Sequence, residues 1–136
     1  MTDIRQVTPD FAVAPQLQPA DMADAAARGY RLVINNRPDG EDPSQPSSAQ
    51  MEAAARAAGM DYAHIPVRGG PTLDQVALNR QLIDDADGPV LAFCRSGTRS
   101  IVTWSVGQAL ASRRDRQTLV DLGSAAGYDL ATVLPG

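Results

Sequence analysis

The sequence predicts an α/β domain with a mostly parallel central sheet and helices on both faces. Three observations predict it. Short apolar runs alternate with longer, helix-like stretches in the order strand, helix, strand, helix along the chain. One run, Val90-Leu91-Ala92-Phe93, sets four apolar residues in succession, as a central strand covered on both faces requires. Glycine or proline punctuates most junctions between the runs.

Each element has its own local signal. Ile4–Val7 and Phe11–Ala14 read as two short strands turned by Thr8-Pro9-Asp10. Pro19 and Asp21 open a helix that runs to Arg28, and Gly29 stops it. Tyr30–Asn35 is a buried strand leading into polar Asn35, Asn36 and Arg37. Pro38–Ser48, rich in Pro, Gly, Asp and Ser, is a loop long enough to be functional. Ser47 or Ser48 caps a helix over Ala49–Ala58, which Gly59 ends. Asp61–Val67 is a further strand or strand edge whose ladder Pro66 limits, and Gly69-Gly70-Pro71 breaks it. Thr72 caps a helix to about Ala86, with Leu73, Val76, Leu82 and Ile83 on one face. Beyond Val90–Phe93 and a turn over Cys94–Arg99, a helix runs from Ser100 to about Ser112. Gln117–Leu122 and Ala125–Leu130 then form two short terminal helices.

Composition narrows the function. A chain of 136 residues suits one unit spanning 1–136, and 43% hydrophobic with 21% charged residues excludes disorder or low complexity. Alanine supplies 22 residues and Phe, Trp and Tyr together only six, so the core must pack closely around few large anchors. A net charge of -4 argues against a nucleic-acid partner. All twelve basic residues are arginine, which removes Schiff-base chemistry and a phosphate-loop lysine. One cysteine, Cys94, and one histidine, His64, are too few for a disulfide framework or a structural zinc site, and neither metal nor cofactor is expected. Met1–Asp10 has no apolar signal core and no run is long enough to span a bilayer. The expectation is a soluble cytoplasmic protein without a membrane partner.

The chemistry concentrates in Phe93-Cys94-Arg95-Ser96-Gly97-Thr98-Arg99-Ser100. A cysteine stands at the carboxyl end of an inner strand, where open α/β sheets bind ligands. Ser96, Gly97 and Thr98 form a small-residue turn whose backbone N–H groups can point inward, and the nascent helix adds the positive end of its dipole. Arg99 supplies a planar, two-pronged donor for an oxyanion, with Arg95 at the rim. The same groups favour the thiolate over the thiol, and the Ser100 hydroxyl is placed to hydrogen-bond the sulfur. Cys94, Arg99 and Ser100 are thus the catalytic candidates, and Arg95, Ser96, Gly97 and Thr98 the substrate cradle. Arg37 and Asp39, just past a strand's carboxyl end, are further substrate-binding candidates. Arg68 with Gly69-Gly70 reads as a flap, while His64 and Trp104 read as structural.

At these residues the loop resembles those of rhodanese-type sulfurtransferases and of cysteine-dependent tyrosine and dual-specificity phosphatases. The whole chain resembles the beta-lactamase hydrolase-like family, whose phosphatase-like domain is also described as a sulfur transferase. Val33–Glu41, His64-Ile65-Pro66-Val67, and Phe93–Ser100 with Trp104 carry that likeness. It implies a fold similar to dual-specificity phosphatases, Cys94 as nucleophile, Arg99 as anion-binding arginine, and the amides of Arg95–Arg99 as the cradle.

Two departures from the phosphatase pattern bear on the reaction. Those phosphatases use Cys-x5-Arg, whereas Cys94 to Arg99 is Cys-x4-Arg, as in many small rhodaneses. They also place an Asp shortly after the Ile-Pro strand end, where this chain has Ile65-Pro66-Val67-Arg68-Gly69. Asp39 is the substitute acid on offer. The leading expectation is therefore a sulfurtransferase. Cys94 takes sulfane sulfur from thiosulfate or a persulfide and passes it to cyanide or an external thiol, since no second cysteine is present. The alternative is a phosphomonoester hydrolase with a phosphocysteine intermediate, and the third reading is a non-catalytic oxyanion-binding module.

Overall fold

The computed structural model describes residues 2–134; Met1, Pro135 and Gly136, part of the unit expected over 1–136, lie outside the described residues. Five strands form one sheet: β1 (Arg5–Thr8), β2 (Phe11–Ala14), β3 (Leu32–Asn35), β4 (Asp61–His64) and β5 (Val90–Phe93). Their spatial order is β1-β2-β5-β3-β4. Only the β1–β2 hairpin is antiparallel, and β2, β5, β3 and β4 run parallel. Every residue of β2, β3 and β5 is buried, which is why their apolar runs are unbroken.

Side-chain alternation along these strands divides the core into two layers. Ala12, Ala14, Val33, Leu91 and Phe93 face Met22 and Ala25 of α1 (Asp21–Ala27) and Met51 and Ala55 of α2 (Ser48–Ala57). Phe11, Val13, Leu32, Ile34, Val90 and Ala92 face the other way. There they meet Ile101 and Trp104 of α4 (Thr98–Leu110) and Leu119 of α5 (Arg116–Ala125), flanked by Leu82 and Ile83 of α3 (Leu73–Asp85). The first layer is filled with alanines and methionines. The second holds the Phe11–Trp104 stack, centroids 5.1 Å apart, so Trp104 is core as expected.

Polar residues set the starts of α2, α3 and α5, where Asp115 accepts from Thr118 N. Ser47 accepts from Gln50 N and Thr72 from Gln75 N, and in both the glutamine side chain returns to the cap's own N–H. Most boundaries shift by one to three residues from the sequence expectation, and three differences bear on the site. β4 stops at His64 instead of Val67, although Ile65 N and Val67 N still bond Asn35 O and Asn36 O. α4 begins at Thr98, not Ser100, because left-handed Gly97 (φ 92°) already caps it; Arg99 therefore sits in the first turn. Residues Ala125–Leu130 are not a helix. α5 ends at Ala125, Gly127 takes φ 94°, Tyr128 N bonds back to Gly123 O at 2.8 Å, and the chain drops Tyr128 and Leu130 into the core.

Among the described residues, no helix is long and apolar enough to cross a membrane.

Candidate active site

The parallel sheet brings three loops to its carboxyl edge. Ala14, Asn35 and Phe93 are register partners at the ends of β2, β3 and β5. Gln16 N then donates to Arg95 O (3.1 Å) and Asn36 N to Phe93 O (2.8 Å), so the segments leaving β2 and β3 flank the turn leaving β5. Cys94 lies in that turn, fully buried. Its neighbours are nonetheless polar. Gly97 N–H donates to Cys94 Sγ at 3.1 Å, closing a ring of main chain around the sulfur. Positive φ at Gly97 is what lets the chain turn back so tightly. Ser96 Oγ donates to Thr98 Oγ1 at 3.0 Å, and Tyr128 Oη donates to Ser96 O at 2.8 Å.

From the first turn of α4, Arg99 reaches across the edge to the loop between β3 and α2. Its Nη1 donates to Glu41 Oε2 (2.9 Å) and to Val67 O (2.9 Å), and its Nη2 to Glu41 Oε1 (2.8 Å). A guanidinium has five N–H donors. Glu41 occupies the end-on fork and Val67 the outer Nη1 proton, which leaves the Nε–Nη2 edge without an oxygen partner among the described residues. That edge matches two oxygens of a phosphate or related anion. Arg99's pKa is raised, first by the Glu41 bonds, against the cost of burial, and next by the nearby Cys94 charge. Arg99 thus responds to both Glu41 and Cys94.

Glu41 is shared. Arg37 Nε donates to its Oε1 at 3.0 Å, and Arg37 Nη1 donates to Gln16 Oε1 at 3.0 Å. Arg37 is only 5% exposed, so this arrangement is built into the fold. Held chiefly by Arg99, and against burial by Arg37 as well, the Glu41 carboxyl falls from its ordinary 4.5 to about 2. Two arginines and one carboxylate leave the cluster with a net positive charge beside the cysteine.

The structure therefore brings together Cys94, Gly97, Arg99 and, through Glu41, Arg37. Arg95 is exposed at the rim, where Asp42 lies within its field. Ser96 and Thr98 are exposed and bonded to each other. Ser100 Oγ, 1% exposed, has no hydrogen-bond partner among the described residues, so its expected bond to the sulfur is not made. Asp39 is not gathered in either. Its Oδ1 accepts from Ser48 N at 2.8 Å and caps the start of α2, because a helix N-terminus offers unpaired N–H groups to the nearest carboxylate. His64 Nε2 is paired with Arg37 O at 2.8 Å, a structural tie. Arg68, Gly69 and Gly70 are exposed, and their segment touches the site through Val67 O. Sequence reasoning missed Glu41, Gln16 and Tyr128 as site residues. Among the described residues, no cluster of three or more His, Cys, Asp or Glu forms a metal-binding group.

An open groove of about 720 Å³ lies at the opposite, amino end of the strands, over Phe11 and Trp104. Of its charged side chains, Arg113 pairs with Asp84 and Arg114 donates to Gln108 Oε1.

Residues 3–111 match the family "beta-lactamase hydrolase-like protein, phosphatase-like domain". The beta-lactamase hydrolase-like protein of Agrobacterium fabrum is 42% identical over 122 residues, which is 88% of this chain and 28% of that protein. The chain thus spans under a third of the length of the curated relatives it matches. A candidate phosphatase from Neisseria meningitidis has a similar crystal structure, with TM-score 0.86 at 34% identity over 97% of this chain and 94% of that one. P. aeruginosa TpbA, solved in complex with pTyr, is similar at TM-score 0.65 and 15% identity, over 93% and 76% of the two chains, a likeness of fold. The expected fold, similar to tyrosine and dual-specificity phosphatases, is the fold observed.

Proposed function

Because the chain belongs to the family of the beta-lactamase hydrolase-like protein, phosphatase-like domain, we propose that it is a cysteine-dependent phosphomonoester hydrolase. Sulfur transfer, the leading expectation from sequence, gives way to the alternative. The observation that carries this reading is the buried Cys94 sulfur held by the Gly97 amide, with the Arg99 guanidinium close enough to feel its charge.

The phosphoryl oxygens lie against the loop amides and the Nε–Nη2 edge of Arg99, in line with Cys94. The thiolate attacks phosphorus, the S–P bond forms, and the P–O bond to the leaving group breaks. Water then attacks the phosphocysteine, the S–P bond breaks, and orthophosphate departs as the thiolate returns. Glu41 and Asp42 are both poor proton donors at neutral pH: Glu41 is held near 2 by Arg99, and Ser44 lowers Asp42. A leaving group that departs as a stable anion, such as an acidic phenol, therefore suits the site better than an alkoxide. The pTyr bound by TpbA supports an aryl monoester as the substrate class.

The test is hydrolysis of an aryl phosphate, expected in the wild type and lost in Cys94→Ser. No turnover of any aryl phosphate would sink this reading. The Cys-x4-Arg spacing keeps sulfur transfer as the second reading. Its signature is a one-sulfur mass gain on Cys94 after thiosulfate, absent from Cys94→Ser. Tight oxyanion binding with neither reaction would leave the binding-module reading.

A further inference from the structure

We infer that Tyr128 is a positioning residue for this site: by anchoring the Ser96 carbonyl, it aims the Gly97 N–H at the Cys94 sulfur. Ser96 C=O and Gly97 N–H belong to one peptide unit. A trans peptide is planar, with its oxygen and its hydrogen on opposite sides, so fixing one fixes the other. The oxygen takes a 2.8 Å hydrogen bond from Tyr128 Oη, and the N–H of the same unit donates to Cys94 Sγ at 3.1 Å. A peptide free to rotate between the flanking φ and ψ would present the sulfur with a carbonyl as readily as with a donor.

Tyr128 is well placed for this work. It is 8% exposed, and the left-handed turn at Gly127 delivers it beneath the cradle. Arg5 lies over its ring at 5.3 Å and is itself tied to Asp3. Burial pushes the phenol pKa up, so the proton it donates stays on. The contact is close enough to exclude any side chain at position 97: a Cβ there would meet Tyr128 Oη at 2.1 Å and Cζ at 2.9 Å. The glycine of the loop and the tyrosine from the far end of the chain are thus one device.

The kinetic arm of the test rests on the hydrolase reading, and the spectroscopic arm does not. Tyr128→Phe keeps the ring and removes only the hydroxyl. We expect kcat on an aryl phosphate to fall about tenfold with KM within about twofold, a fraction of the loss from deleting an oxyanion donor outright. The Gly97 amide should shift in the 1H–15N spectrum and exchange faster with solvent. Val120→Ala, which thins the same C-terminal cover but retains the hydroxyl, is the control for general loosening and should leave both readouts near wild type. An unmoved Gly97 amide in Tyr128→Phe, or an equal loss of kcat in Val120→Ala, overturns the proposal. If the wild type hydrolyses nothing, the hydrolase reading falls, and the Gly97 amide alone decides the role of Tyr128.

Discussion

The turn from β5 to α4 and the loop from β3 to α2 meet at the same edge of the sheet but are held in opposite ways. Residues 94–97 turn through main-chain geometry: a left-handed glycine, an amide on the sulfur, and carbonyls taken by Gln16 N and Tyr128 Oη. Residues 36–47 are tied largely by side chains, with Arg37, Asp39 and Glu41 each bonded outside the loop and Gln45 bonded across it to Pro38 O. The first region tolerates little change of shape, and the second depends on charge. A phosphate cradle made of amides cannot be adjusted by pH, whereas the carboxylate that holds its arginine can.

The comparison breaks most sharply at Gly97. Gly97→Ala would need both a strained φ and space already filled by Tyr128; we expect activity to fall by at least about 1,000-fold and the melting temperature with it. Next is Arg99→Lys, which keeps the charge and loses the fork that serves Glu41 and substrate together. A drop of about 100- to 1,000-fold in kcat/KM is expected in steady-state assays.

Glu41→Gln probes the side-chain loop. Activity should fall about tenfold as Arg99 loses its anchor, and stability by about 1–3 kcal/mol, since buried Arg37 loses its counter-charge. The sign of the pH effect follows from a folded pKa below the unfolded one. The carboxylate's contribution is complete above about pH 4.5 and fades as pH falls towards about 2. Wild type should therefore exceed Glu41→Gln in denaturant stability at pH 6 and converge with it near pH 2; a constant gap would refute the assignment. Smallest of all, Asp39→Ala should leave hydrolysis within about twofold and cost α2 about 1 kcal/mol for its lost N-terminal contact.

The same contrast explains what could be read from sequence. The β5 run and the Cys94–Arg99 turn are contiguous, so their roles are legible in adjacent residues. Phe11–Ala14 and Val90–Phe93 were readable as strands because both faces are buried and the apolar pattern does not break. Glu41 lies 58 positions from Arg99, and only the parallel register of β3 beside β5 brings them together. Asp39, nearer to Arg37 in the pattern expected of an acid, is captured by Ser48 N instead, a competition invisible before α2 is placed. Tyr128 was hidden by its surroundings. Apolar Ala125–Leu130 imitates a helix until Gly127 turns the chain inward.

One margin of the sheet ends in β4, four residues long, with exposed Asp61 at its start and Pro66 two positions beyond its end. A strand arriving from another molecule would meet a charge, a missing N–H and too few free main-chain groups to zip against. The molecule is therefore guarded against edge-to-edge self-association on that side without any extra element to cover it.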